Sequence, residues 1–222
     1  TQESAYLSEI KPVFYYQFQT PKVTAAAGIF TRDMMHDDDY STAFFSESER
    51  FFHNRMNGVL AQYNGKRNSY VEFVCDWEGM YSTLSREKFR ILLAGRHYLD
   101  TFYYGFNYSM FHYAGQQGAP IENVVDLQLL NPCVGVRFNA FFDFDIKLGA
   151  LLTAQRDRSF GHSWEKPCMG EFAFRISRWG LSLDERLYVG DNIHPFFYGH
   201  ELEDGTPLPY GRELYPAESF FR

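Results

Sequence analysis

Residues 134–155 read VGVRFNAFFDFDIKLGALLTAQ, and this stretch decides the fold. One parity of it, Val134, Val136, Phe138, Ala140, Phe142, Phe144, Ile146, Leu148, Ala150, Leu152 and Ala154, contains no polar side chain. The other parity, Gly135, Arg137, Asn139, Phe141, Asp143, Asp145, Lys147, Gly149, Leu151, Thr153 and Gln155, is mostly small, polar or charged. Period-two alternation is the mark of strands with one apolar and one polar face. Strands in globular proteins usually run ~3–10 residues, and this pattern persists about twice as far. It describes either one tall strand or two strands meeting at a short turn that conserves parity. Both arrangements suit a membrane barrel, whose strands need roughly 9–11 residues to cross.

The same pattern recurs outward from there. Phe102, Tyr104, Phe106, Tyr108 and Met110 share a face opposite Gly105, Asn107 and Ser109. Val71, Phe73, Cys75 and Trp77 oppose Glu72, Asp76 and Glu78, with Val74 as the exception, and Phe172, Phe174 and Ile176 oppose Glu171, Arg175 and Ser177. Apolar residues outside and polar residues inside are what a lipid face and a lumen require.

One segment carries competing signals. Ser46 and Glu49 form a capping box, and Phe52, Met56, Val59, Leu60 and Tyr63 recur at helical spacing. Asn64-Gly65, however, is a strong two-residue hairpin signal between Val59–Tyr63 and the run entering Val71. The hairpin is favoured, with residues near 34 to 54 expected as a long, polar, surface-exposed loop. Further loops are expected at Gly115–Pro120, at Arg156–Pro167 and from Gly199 onward. The chain ends on Phe221-Arg222 after the loop-like YGRELYPAESFF, where a barrel would end on a strand, so either the closing strand is absent or the barrel reading fails.

Composition agrees with the pattern. The chain has 222 residues, enough for one domain spanning 1–222 and a barrel of roughly eight to twelve strands. Aromatic residues make up 19%, with 23 Phe and 16 Tyr, which suits strands and the aromatic girdles of membrane barrels. No apolar run approaches the ~20 residues of a transmembrane helix. A net charge of −7 without clustered Lys and Arg argues against a nucleic-acid partner. Cys75, Cys133 and Cys168 show neither metal-ligand nor disulfide-framework spacing and read as small apolar residues. Thr1 at the start fits a mature product cleaved from a signal peptide.

The alternating strands and the phrases VEFVCDWEGMY, NVVDLQLLNPCVGV and RLYVGDNIHPFFYG resemble the uncharacterised outer-membrane β-barrel proteins of Bacteroidota, from about Tyr63 onward. The resemblance implies an all-β, antiparallel, up-and-down transmembrane barrel with long surface loops in the outer membrane of a Gram-negative cell. It carries no active-site residues across.

The candidate binding residues are those expected to face a lumen: Arg137, Asp143, Asp145, Lys147, Asp76, Glu78, Glu171 and Arg175. The ladder at 137–147 either lines a polar pore or braces the interior by pairing with neighbouring strands; a glycosidase-like carboxylate pair is the weaker alternative. Trp77 points away from the acids beside it and reads as a girdle residue. His162-Ser163 and His200-Glu201 are the places where a Ser, His and acid set would be sought, but neither lies in a specific motif. No catalytic residue, metal or cofactor is expected.

The expected role is a non-catalytic outer-membrane barrel, acting as a narrow transport channel or as an accessory subunit of a larger assembly. Its expected partners are outer-membrane lipid and other outer-membrane proteins. One alternative is a lipid-modifying barrel enzyme. The other is a soluble lipocalin-like or β-sandwich ligand-binding protein, in which Val136, Phe138, Phe142, Phe144, Ile146 and Leu148 would face a core.

Overall fold

A computed structural model describes residues 12–45, 54–118, 124–158, 163–193 and 219–221. It contains the strands β1 (Phe14–Gln19), β2 (Val23–Thr31), β3 (Arg55–Asn64), β4 (Tyr70–Gly79), β5 (Lys88–Leu99), β6 (Phe102–Tyr113), β7 (Val125–Asn139), β8 (Asp143–Asp157), β9 (Cys168–Arg178), β10 (Leu181–Gly190) and β11 (Ser219–Phe221). They form one antiparallel sheet in chain order, each strand pairing with its sequence neighbours. β1 and β11 are the two edges of this up-and-down sheet. Among the described residues no helix is long and apolar enough to cross a membrane.

The 134–155 stretch is two strands. β7 and β8 meet at residues 140–142, closed by the Ala140 N–H donating to the Phe142 carbonyl at 2.9 Å. Phe138 lies opposite Phe144, Val136 opposite Ile146 and Val134 opposite Leu148, so parity survives the turn. Pro132 sits mid-strand in β7, where the ladder to β8 skips residues 131–132. Proline has no N–H to donate, and the Asn131 side-chain amide donates to the Ala150 carbonyl there instead, at 3.1 Å.

The connections are strongly asymmetric. Residues 20–22, 65–69, 100–101, 140–142 and 179–180 turn at one end of the sheet, while the strand ends joined through the longer intervals 32–54, 80–87, 114–124, 158–167 and 191–218 are all at the other.

Three expectations need correction. Residues 55–64 are strand, and the hairpin at Asn64-Gly65 exists, but its connection is 65–69. Gly65 is extended and donates to the Ser69 carbonyl at 2.7 Å, while Arg67 and Asn68 take the positive φ of 56° and 62°. The apparent helical spacing splits between faces, with Met56 and Leu60 buried and Val59 and Tyr63 exposed. Second, the loop expected on the surface folds inward over its described part: Tyr40, Ser41, Ala43, Phe44 and Phe45 are fully buried. Residues 46–53, including the capping box, lie outside the described residues. Third, Ser219–Phe221 is strand rather than loop, paired with β10 through Leu187 opposite Phe221.

The sheet curls around that inward segment. The Tyr40 hydroxyl donates to Glu72 on β4 at 3.0 Å, while the Thr42 hydroxyl lies 2.6 Å from the Tyr188 hydroxyl on β10. Strands far apart in sheet order thus flank one short stretch of chain. Phe44 and Phe45 pack with Phe30, Met56, Leu60, Val74, Leu92, Leu129, Leu151 and Met169 in a core on the inner face. The outer face is the apolar parity, exposed: Val71, Phe73, Tyr104, Phe106, Val134, Phe138, Leu148, Leu152 and Phe172 all stand free. Of the six residues that a soluble sandwich would bury, Leu148 is 58% exposed, Phe138 is exposed, and Val136, Phe142, Phe144 and Ile146 are half-buried.

Candidate functional site

The candidate residues fall on the inner face because strand parity puts them there. On β7 and β8, Arg137 lies directly opposite Asp145, and on β8 and β9, Asp145 lies opposite Arg175 and Gly149 opposite Glu171. Arg137 donates through both Nε (3.0 Å) and Nη2 (2.6 Å) to Asp145 Oδ2. The other oxygen, Oδ1, accepts from the Tyr103 hydroxyl at 2.7 Å. Asp143, at the rim, accepts from the Asn139 side-chain amide. It borders an open cleft of about 510 Å³ with Arg137, Asn139, Asp145, Arg175 and Ser177.

Deeper inside, Glu171 is fully enclosed. Lys147 Nζ lies 3.2 Å from it, Arg186 3.9 Å, and the Asn131 amide and Tyr188 hydroxyl donate to it at 3.1 and 3.2 Å. A carboxylate is tolerable in such a place only when its oxygens are met by charge and donors. Gly149 keeps the space open, since a Cβ there would lie 2.8 Å from the Asn131 amide nitrogen. Arg175 pairs across the strands with Asp184 at 3.2 Å.

Arg137, Asp145, Lys147 and Arg175 therefore converge, joined by Asp39, Arg96, Tyr103 and Asp184, around a cavity of about 60 Å³. That volume holds a few water molecules and nothing as large as a sugar. Asp76 and Glu78 stand apart, near the long-link end of β4. Asp76 accepts from the Asn57 backbone N–H at 2.8 Å, and Glu78 pairs with Lys88 (3.6 Å) and Arg90 (3.4 Å). The pairing that braces an interior is what the structure brings together.

The inward segment is the part the sequence pattern missed. Arg96 on β5 binds the Asp39 carboxylate at 2.6 Å and its carbonyl at 3.1 Å. Glu72 accepts from the Gln62 amide (2.6 Å), the His36 backbone N–H (2.9 Å) and the Tyr40 hydroxyl. His36 also stacks on Tyr70, ring centroids 3.7 Å apart. Burial, then the adjacent Glu72 carboxylate, holds the Tyr40 hydroxyl well above its ordinary pKa. The segment Arg32–Phe45 is thus clasped by β4, β5 and β10 against the inner face of the sheet. The even parity of Arg90 and Arg96 on β5 was the available signal for the cations that meet it.

Of the other expectations, Trp77 faces outward, stacked on Phe89 at 5.2 Å. Cys75 is half-buried, Cys133 buried and Cys168 exposed, all as free thiols. Ser163 is exposed; His162, His200 and Glu201 lie outside the described residues. Among the described residues no group of three or more His, Cys, Asp or Glu converges as a metal site. Neither known protein families, nor curated proteins, nor solved structures give a match to this chain.

Proposed function

We propose that this chain is an integral outer-membrane β-barrel without catalytic activity, acting as an accessory subunit of a membrane assembly rather than as an open channel. The carrying observation is the inverted polarity of the sheet. Charged groups such as Glu171 and Lys147 are enclosed, while Phe73, Phe106, Val134, Leu148 and Phe172 face outward without cover. In water that outer face has a large cost; in lipid it is the favourable arrangement.

Two dimensions support the reading. The outward face of β8 is uninterruptedly apolar from Phe144 to Ala154 and ends at Arg156, close to the ~9–11 residues that carry a tilted strand across a bilayer. Short turns at one end and long links at the other are the usual arrangement in outer-membrane barrels. Backbone edges in lipid must be satisfied, so the reading requires β1 to close against β10 and β11. The interior packed with Arg32–Phe45 weighs against conduction and leaves the long links and outer wall as working surfaces, towards lipid and neighbouring membrane proteins.

The test is whether the purified full chain requires detergent, is β-rich by circular dichroism, and shifts on a gel with heating. Planar-bilayer recordings and the mass of the native complex accompany it. Detergent dependence, a heat shift, no unitary conductance and a stoichiometric membrane partner are the expected results. A monodisperse protein in plain buffer overturns the proposal; steady conductance overturns its accessory role.

A further inference from the structure

On the outer face, Trp77, Phe89, His112, Asp126 and Arg156 are directly opposed neighbours across strands β4 to β8. They form a continuous row at the long-link end. Trp77 stacks on Phe89, whose ring lies 5.0 Å from that of His112. His112 Nδ1 is 3.4 Å from Asp126 Oδ1, and Asp126 Oδ2 accepts from Arg156 Nη2 at 2.7 Å. The Arg156 guanidinium lies 4.5 Å over the Trp164 ring. Arg158, the next outward position, donates to the same carboxylate, Nε to Oδ2 at 3.1 Å and Nη2 to Oδ1 at 3.3 Å.

One carboxylate thus holds two guanidiniums side by side, and the group is net positive before His112 is counted. A guanidinium carries five N–H donors, more than Asp126 engages from either arginine, and its planar fork suits bidentate binding of phosphate. Placement supplies the second half. Past one intervening pair, Gln128 opposite Ala154, the same face turns apolar, with Leu130 directly opposite Leu152, both exposed. Cationic and aromatic side chains at the end of an apolar band stand at the height of lipid headgroups.

We propose that Arg156 and Arg158, positioned by Asp126 and flanked by His112 and Trp164, bind the phosphate of a lipid headgroup in the leaflet on the long-link side, with its acyl chains lying along Leu130 and Leu152. The inference rests on the membrane reading above. The guanidiniums supply the phosphate contacts, Trp164 fixes the orientation of Arg156, and the leucine pair excludes water from the chains.

The experiment uses the full chain in detergent, with native mass spectrometry counting bound lipid. The probes are a bisphosphorylated acyl disaccharide, an uncharged glycolipid of equal chain length, and inorganic phosphate as competitor. The wild type is expected to retain the phosphorylated lipid in preference to the uncharged one. Arg156→Gln combined with Arg158→Gln is expected to lower that retention roughly tenfold, whereas Arg67→Gln, at the short-turn end and paired with Asp100, leaves it unchanged. Heat-shifted migration checks that each variant is folded; if the double variant is not, Arg158→Gln alone serves.

Equal loss in Arg67→Gln, or equal retention of the uncharged lipid, overturns the site. Displacement by millimolar inorganic phosphate overturns the lipid as its source. A protein that needs no detergent overturns the membrane reading and this inference together, while a detergent-dependent protein with unaltered lipid retention in the double variant overturns only the inference.

Discussion

Tyr103 reaches from β6 across β7 to donate a hydrogen bond to Asp145 on β8, and it does so over the face of Gly135. A Cβ at position 135 would lie 2.3 Å from the Tyr103 ring, so that strand position has to be empty. The ring also carries the Arg96 guanidinium 4.7 Å above it, which ties the Asp145 pair to the residue that holds Asp39. Gly135→Val is therefore expected to displace Tyr103 and cost about 1–3 kcal/mol, as overpacking does. Tyr103→Phe, which removes only the hydrogen bond, is expected to cost about 1 kcal/mol. Urea midpoints in detergent measure both. The combined variant should cost less than the two added, because Gly135→Val already breaks the bond; additive losses would refute the coupling.

Glu72 is the main clasp on the inward segment, since its two oxygens accept from Gln62, His36 and Tyr40. Glu72→Ala removes the acceptor of the Tyr40 hydroxyl and the His36 N–H, while the Gln62 amide keeps the Met34 carbonyl at 2.7 Å, so the cost is about 1–3 kcal/mol for each group left unsatisfied. The expected consequence is opening of residues 32–45 rather than unfolding of the sheet, whose ladders do not pass through this side chain. A cysteine introduced as Ala43→Cys, at a fully buried position, reports it. Labelling by a maleimide should be slow in the parent and at least about tenfold faster with Glu72→Ala, following the opening equilibrium. Equal rates would show that the segment is held by its apolar packing alone.

The Tyr40 hydroxyl gives a pH signature with a definite sign. Its folded pKa is raised above the ordinary ~10 by burial and by Glu72. Its contribution to stability is therefore complete below pH ~10 and is lost as pH climbs beyond that, because the unfolded chain releases the proton while the folded chain keeps it. Tyr40→Phe is expected to be the less stable protein at pH 8, through the lost bond to Glu72. The gap to the parent should narrow by pH 11. A gap that stays constant from pH 8 to 11 contradicts the shift.

The strands were legible because a sheet with unlike faces writes period two into the chain; β4 and β6 begin and end close to where Tyr70–Glu78 and Phe102–Tyr113 mark them. The inner set Arg137, Asp145, Lys147 and Glu171 followed from parity alone. The inward segment was not legible, because its sequence, MMHDDDYSTAFF, is as acidic as an exposed loop. Whether Asp39 meets water or Arg96 depends on a partner 57 positions away. The outer cluster was hidden for a similar reason. Arg156 and Arg158 resemble loop charges until β8 is seen to run to Asp157, opposite the strand that bears Asp126.

The outer face provides the sharpest mutational test of the environment. Leu148 is 58% exposed and lies opposite Val134 on β7 and Phe172 on β9, both also exposed. A surface leucine in water tolerates exchange for arginine within about 0.5 kcal/mol. The same exchange near the middle of a bilayer costs about 2–4 kcal/mol. Leu148→Arg should therefore lower the fraction of protein that folds into lipid vesicles by roughly tenfold or more, while Leu181→Arg, also outward and next to the short turn at 179–180, costs much less because the guanidinium reaches headgroups. Folding into vesicles, scored by heat-shifted migration, separates the cases. A depth-dependent loss, large at 148 and small at 181, is the expected signature of a lipid-facing wall. Indifference at both positions would mean that water covers this face and that the exposed aromatic wall is an interface with another protein.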